Sequence, residues 1–152
     1  MIRIAHGIAP AALAASTALL ASCATLPDAQ QPLAGTTWRL VAMQSMDDAQ
    51  GTTRPANRNL YTIEFNRDGT AYMQLDCNRA RASWTAKRTG SEQGSLEFGP
   101  LASTMAMCPP GSLNQKLGQQ LGFVRTWVMR EGNLNMSLMA DGGILVWERK
   151  GS

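Results

Sequence analysis

Apolar and polar residues alternate with a period of two along most of the chain after residue 33. Tyr61, Ile63 and Phe65 fall on one face, with Thr62 and Glu64 on the other; Ala71, Met73, Leu75 and Cys77 then alternate with Tyr72, Gln74 and Asp76. A half-buried antiparallel strand produces this pattern, and the turn residues Asp68-Gly69 between the two runs make them a β-hairpin. The alternation carries Cys77 to the apolar side. Further strands are expected at Thr37 to Met43, Ala82 to Lys87, Ser95 to Phe98, Val124 to Met129, Leu134 to Met139 and Ile144 to Arg149. Turn signals stand at Glu131-Gly132-Asn133 and Asp141-Gly142-Gly143.

The period changes once. After Pro109-Pro110-Gly111, Leu113, Leu117 and Leu121 recur every four residues, and Ser112 with Gln115 has the spacing of a capping box. One short helix is expected there, and Gly118 and Gly122 weaken it by about 1 kcal/mol each relative to Ala, so it depends on packing against the sheet. The sum is an α+β domain, mainly antiparallel β, with no internal repeat.

The chain before residue 33 is different in kind. One positive residue, Arg3, precedes an uncharged Ala/Leu-rich run from Ile8 to Leu20, interrupted by Pro10. This is the pattern of a secretory signal peptide; a membrane-spanning helix is the alternative, which Gly7, Pro10 and the Ala-rich composition disfavour. Leu20-Ala21-Ser22-Cys23 resembles the bacterial lipobox, in which the cysteine thiol is lipidated and the chain is cut before it. That resemblance implies acylation of Cys23, a stable membrane anchor at about 0.8 kcal/mol per buried CH₂. Ala24 rather than Asp follows the cysteine, which under enteric-type sorting implies the outer membrane. Residues 1–22 thus read as a lipoprotein signal peptide, 23–32 as a lipidated tether, and 33–150 as the folded domain.

Composition narrows the chemistry. The single histidine of the 152-residue chain is His6, inside the signal segment, so a processed product has no imidazole for acid/base catalysis, a triad or a common zinc site. The net charge of +3 drops by one with Arg3, too little to imply nucleic-acid binding. Once Cys23 is set aside, Cys77 and Cys108 have one possible pairing. In an oxidising compartment such a bridge stabilises by about 3.7 kcal/mol on the chain-entropy model. Two buried free thiols, or a soft-metal site of Met105, Met107 and Cys108, are the alternatives.

Read in order, the segments resemble the META/HslJ-like domain family of bacterial envelope proteins. Leu33-x-Gly35-x-x-Trp38-x-Leu40, the Phe65-x-x-x-Gly69 hairpin, Cys77-Asn78, Leu96-x-Phe98 and Thr104-x-x-x-Cys108 carry the likeness. Asp76 departs from the family's glycine before the cysteine, and Ala82 with Trp84 from a usual Gly-x-Tyr. Because Asp tolerates left-handed backbone better than most residues, the turn at residue 76 is expected to survive the change. The resemblance implies a compact curled sheet or partial barrel with the helix packed on it, periplasmic exposure, and links to stress response, antibiotic tolerance or secretion. It supplies no catalytic residues and no cofactor. Asn78 is expected to bond local backbone beside the turn.

Outside that frame few residues suggest chemistry. No phosphate-binding glycine loop or Ser-x-x-Lys pattern occurs, and Asp47-Asp48 sit in a polar stretch, Ser45 to Arg58, that reads as a solvated loop. Arg79, Arg81, Lys87 and Arg88 gather around Trp84 in sequence, either as contacts for anionic lipid or lipopolysaccharide phosphates or as a charged edge that discourages pairing. Trp38, Trp127 and Trp147 are assigned to the core; in a partial barrel they would otherwise line a pocket for a lipid or hydrophobic segment. The expectation is therefore a non-enzymatic, lipid-anchored outer-membrane lipoprotein facing the periplasm. Its binding or scaffolding domain would serve envelope maintenance with an envelope protein or anionic lipid as partner, and the alternative is a carrier of a hydrophobic ligand.

Overall fold

A computed structural model describes residues 31–151. Cys23, the signal segment and most of the tether lie outside the described residues. The strands are β1 (Thr36–Gln44), β2 (Thr52–Thr53), β3 (Tyr61–Phe65), β4 (Thr70–Leu75), β5 (Asn78–Arg88), β6 (Gln93–Phe98), β7 (Ala102–Ser103), β8 (Val124–Arg130), β9 (Asn133–Leu138) and β10 (Ile144–Arg149); helix α1 spans Asn114–Leu121. All pairings are antiparallel. β1, β3, β4, β5, β6, β8, β9 and β10 follow one another around the sheet, and β10 pairs back onto β1.

The sheet is therefore a closed eight-stranded barrel, not the partial barrel expected. Closure depends on β1 serving two neighbours: Thr36 to Arg39 pair with β3, while Trp38 to Gln44 pair with β10 across an irregularity between Leu40 and Ala42. Closing removes both free edges, which in an open sheet present unpaired backbone groups. The short β2 and β7 attach outside the ring, to β1 and β5.

An eight-stranded barrel has an interior just wide enough for side chains to fill. Here Trp38, Trp84, Trp127 and Trp147 fill it with Phe65, Leu40, Ile63 and Leu96, all essentially inaccessible to solvent. Phe65 meets Trp84 edge-on with ring centroids 4.8 Å apart, a geometry favoured by the ring quadrupoles. Small residues accommodate these indoles. β5 turns Ala80, Ala82 and Ala86 inward beside Trp84, and its start lies four residues before the position the apolar pattern suggests. At Gly94 an added Cβ would stand 1.8 Å from the Lys87 carbonyl oxygen and 2.8 Å from Trp127 Nε1, so only glycine fits.

α1 closes one end of the barrel with Leu117 and Leu121 buried. The expected capping box does not form: Leu113 occupies the N-cap, and its N–H donates instead to the Tyr61 hydroxyl at 2.9 Å. Ser112 Oγ accepts from the Asn114 N–H, a local turn contact. At the opposite end the chain enters through Leu33, which is buried. No helix among the described residues is long and apolar enough to cross a membrane.

Candidate functional site

Asp76 has φ 59°, so the two-residue turn Asp76-Cys77 between β4 and β5 is built on a left-handed residue, as its side chain permits. That conformation also resets the period-two alternation. Cys77, expected on the apolar side, is exposed, and Asn78 points inward in its place, 2% exposed. Among the described residues Asn78 is the one buried polar residue of the core.

Its carboxamide does not bond local backbone as expected. Nδ2 donates to the Ala106 carbonyl at 3.0 Å, and the Ala106 N–H donates to Oδ1 at 2.8 Å, so the side chain mimics a strand neighbour. The Thr104 hydroxyl donates to the same Oδ1 at 2.9 Å and accepts from the Arg79 N–H at 3.0 Å. Beside this network Cys77 and Cys108 form a disulfide with Cα atoms 5.5 Å apart. The segment from Ala102 to Cys108 is thereby strapped to the start of β5 by two backbone pairings, one buried amide and one covalent bond.

The strap and α1 enclose an open groove of about 630 Å³, lined by Leu75, Leu101, Met105, Met107 and Gly118 among others, with no charged side chain on its walls. Met105 and Met107 are 90% and 100% exposed. Cys108 is consumed by the disulfide, so the soft-ligand set of Met105, Met107 and a thiolate is not assembled. Among the described residues no three His, Cys, Asp or Glu side chains gather into a metal-sized cluster. Asp47 and Asp48 are exposed, and Asp47 accepts from the Ala49 N–H at 2.9 Å in a local turn of a loop that β2 interrupts.

The four basic residues do not converge. Arg79, Arg81 and Lys87 share the outer face of β5, but Arg79 and Lys87 are eight residues apart, about 26 Å along a strand. Trp84 faces the interior and is no part of their surface. Arg79 and Arg81 flank the exposed Tyr72 near the strap, Tyr72 pairing with Arg81. Arg88 belongs to the inward series of β5 and sits at the rim of the end where the chain enters. Its guanidinium lies 5.7 Å from the Trp127 ring centroid and bonds the Ser91 carbonyl. Across the same mouth Arg149 lies 5.6 Å from the Trp38 ring centroid. The two arginines, Leu33, Trp38 and Trp127 line a pocket of about 220 Å³. The sequence pattern gave no sign of Arg149 as a partner for Arg88, because their proximity comes from barrel closure.

Among solved structures, the fold is similar to that of a protein from Burkholderia xenovorans, determined by NMR. The two share 21% identity with a TM-score of 0.63, and the match covers 93% of this chain and all of the other. A duf4847 family protein from Bacteroides vulgatus matches at 13% identity and TM-score 0.49, covering 79% of this chain and 96% of its own. No curated protein matches. The family model of the META domain matches residues 31–151, a span that runs from the residues before Leu33 through the strap to the end of β10, and the chain therefore belongs to the META domain family.

Proposed function

We propose that this META-domain protein is a non-catalytic lipoprotein, anchored through Cys23 at the periplasmic face of the outer membrane, whose domain binds or scaffolds a protein partner in envelope maintenance under stress or antibiotic challenge. The observation that carries the binding role is the strap. A segment held by the Cys77–Cys108 bond and the Asn78 amide presents two exposed methionines beside an uncharged groove. Methionine is flexible and polarizable and suits surfaces that adapt to a partner, while holding the segment in place lowers the ordering cost of binding. A carrier role is less well supported, because four indoles occupy the interior that a cargo would need.

Two measurements test the reading. Intact mass of the protein extracted from its own membranes, alkylated with and without reduction, is expected to show loss of residues 1–22, a lipid adduct on Cys23, and thiols at 77 and 108 that react only after reduction. An intact N-terminus would overturn the anchor. A photo-crosslinker at position 107 is expected to give a discrete adduct in cells, absent from position 85 on the outer face of β5; equal labelling from both positions would overturn the strap as the binding surface.

A further inference from the structure

The hairpin turns 66–69, 89–92 and 131–132 and both chain ends lie at one end of the barrel, the end where Leu33 enters. Arg67, Lys87, Arg88, Arg130, Arg149 and Lys150 stand there against Asp68, Glu92, Glu131 and Glu64, the last beside Lys150. Over the rest of residues 31–151 seven cations face six carboxylates. Two of the domain's three net positive charges therefore lie at this end. Lys87, Arg88, Arg130, Arg149 and Lys150 are all exposed, and none makes an ion pair among the described residues.

We propose that this end of the barrel is a docking face for an anionic phospholipid bilayer, with Arg88 and Arg149 receiving headgroup phosphates at the barrel mouth. The inference rests on the lipoprotein reading for its orientation. Gln31 leaves the domain at this same end, and only seven residues, eight Cα–Cα steps, separate it from Cys23. An extended tether of that length reaches at most about 28 Å, and a flexible one averages about 16 Å. An anchor at Cys23 would thus hold the basic end, and not the strap end, within a short distance of the bilayer, where Debye screening leaves attraction over about 8 Å. Guanidinium planes match phosphate oxygens in pairs. Arg88 and Arg149 each rest over an indole at the mouth, which the single carboxylate Glu92 shares with them. The same orientation leaves Met105 and Met107 pointing away from the membrane, toward a partner.

The test uses a chain beginning at Ala24, which lacks Cys23 but keeps every core residue from Leu33 to Trp147, so that binding reports the domain alone. Co-sedimentation with vesicles of phosphatidylethanolamine and phosphatidylglycerol is expected to retain it, vesicles of phosphatidylcholine to release it, and 1 M salt to abolish retention. With each cation near an anionic surface worth about fivefold, Arg88→Gln with Arg149→Gln is expected to lower the partition constant about 30-fold. Lys87→Gln with Lys150→Gln, which touches neither indole, is expected to do the same and guards against a packing artefact. Arg54→Gln with Lys116→Gln, an equal charge change at the other end, is expected to leave it within a few-fold. Equal losses from both ends, or no preference for phosphatidylglycerol, would overturn the docking face. The intact-mass measurement reads the anchor separately, so a lipidated protein whose domain ignores these vesicles sinks this inference alone.

Discussion

The carboxamide of Asn78 and the backbone of Ala106 form a reciprocal pair of hydrogen bonds, at 3.0 and 2.8 Å, across 28 residues of chain. A side chain thus does the work of a β-strand edge, and it does so from a buried position where no water replaces it. Asn78→Ala leaves both Ala106 groups and the Thr104 hydroxyl short of a partner, and is expected to cost about 2–4 kcal/mol in denaturant unfolding. Asn78→Asp keeps the acceptor but sets a carboxylate against the Ala106 carbonyl. Its loss of stability is expected at neutral pH and to shrink in acid, where the protonated side chain regains a donor.

Reduction of Cys77–Cys108, or replacement of both by serine, is expected to lower stability by about 3.7 kcal/mol, the chain-entropy value for a loop of this length. The disulfide and Asn78 hold the same segment. Combining Asn78→Ala with the serine pair is therefore expected to depart from additivity by more than about 0.5 kcal/mol in a double-mutant cycle.

Two glycines predict opposite outcomes. Alanine at Gly94 drives a methyl into the Lys87 carbonyl and the Trp127 ring, and an expected loss of about 3 kcal/mol reflects a strand that cannot move without opening its neighbours. Gly118 lies inside α1, where a Cβ would meet Leu75 and Leu101 at 3.6 and 3.7 Å, ordinary contact distances. Gly118→Ala is expected to raise the unfolding free energy by about 0.5–1 kcal/mol.

Asp68 titrates below the ordinary 3.8, chiefly because the Thr70 hydroxyl, and then the Thr70 N–H, donate to its carboxylate. A depressed folded-state value makes its contribution complete above the ordinary carboxylate range and lost as pH falls through the lower folded value. Carboxyl carbon shifts across an acid titration are expected to place Asp68 below the ordinary 3.8. Thr70→Val is expected to bring it back toward 3.8.

Where the physics was local, the sequence was a good guide. Tyr61, Ile63 and Phe65 are buried on one face, the hairpin turns at Gly69 with φ 81°, and β10 spans the six residues that the alternation marks. Misreadings trace to single residues. Left-handed Asp76 inverts the faces of everything that follows in the turn, sending Cys77 outward and Asn78 inward. The inward alanines of β5 are too small to register as a core face, which hid its first half and left Arg79 and Arg81 looking like neighbours of Trp84. Ser112 and Gln115 have the right spacing for a cap, but the Tyr61 hydroxyl, distant in sequence, takes the free N–H. Barrel closure, and with it the meeting of Arg88 and Arg149 around one mouth, depends on pairing the first strand with the last, which no short window contains.

That pairing has a consequence for how the molecule is made. The seam of the barrel joins Trp38 to Arg149, so during synthesis from the N-terminus the strand that seals it is the final one to appear. A chain that stops just short of β10 carries two raw edges, on β1 and β9, and such long-range pairings are intrinsically slow to form. Both edges are therefore removed in one step, when β10 pairs with β9 and β1. A chain ending before Ile144 is expected to aggregate, even though it retains most of the buried indoles.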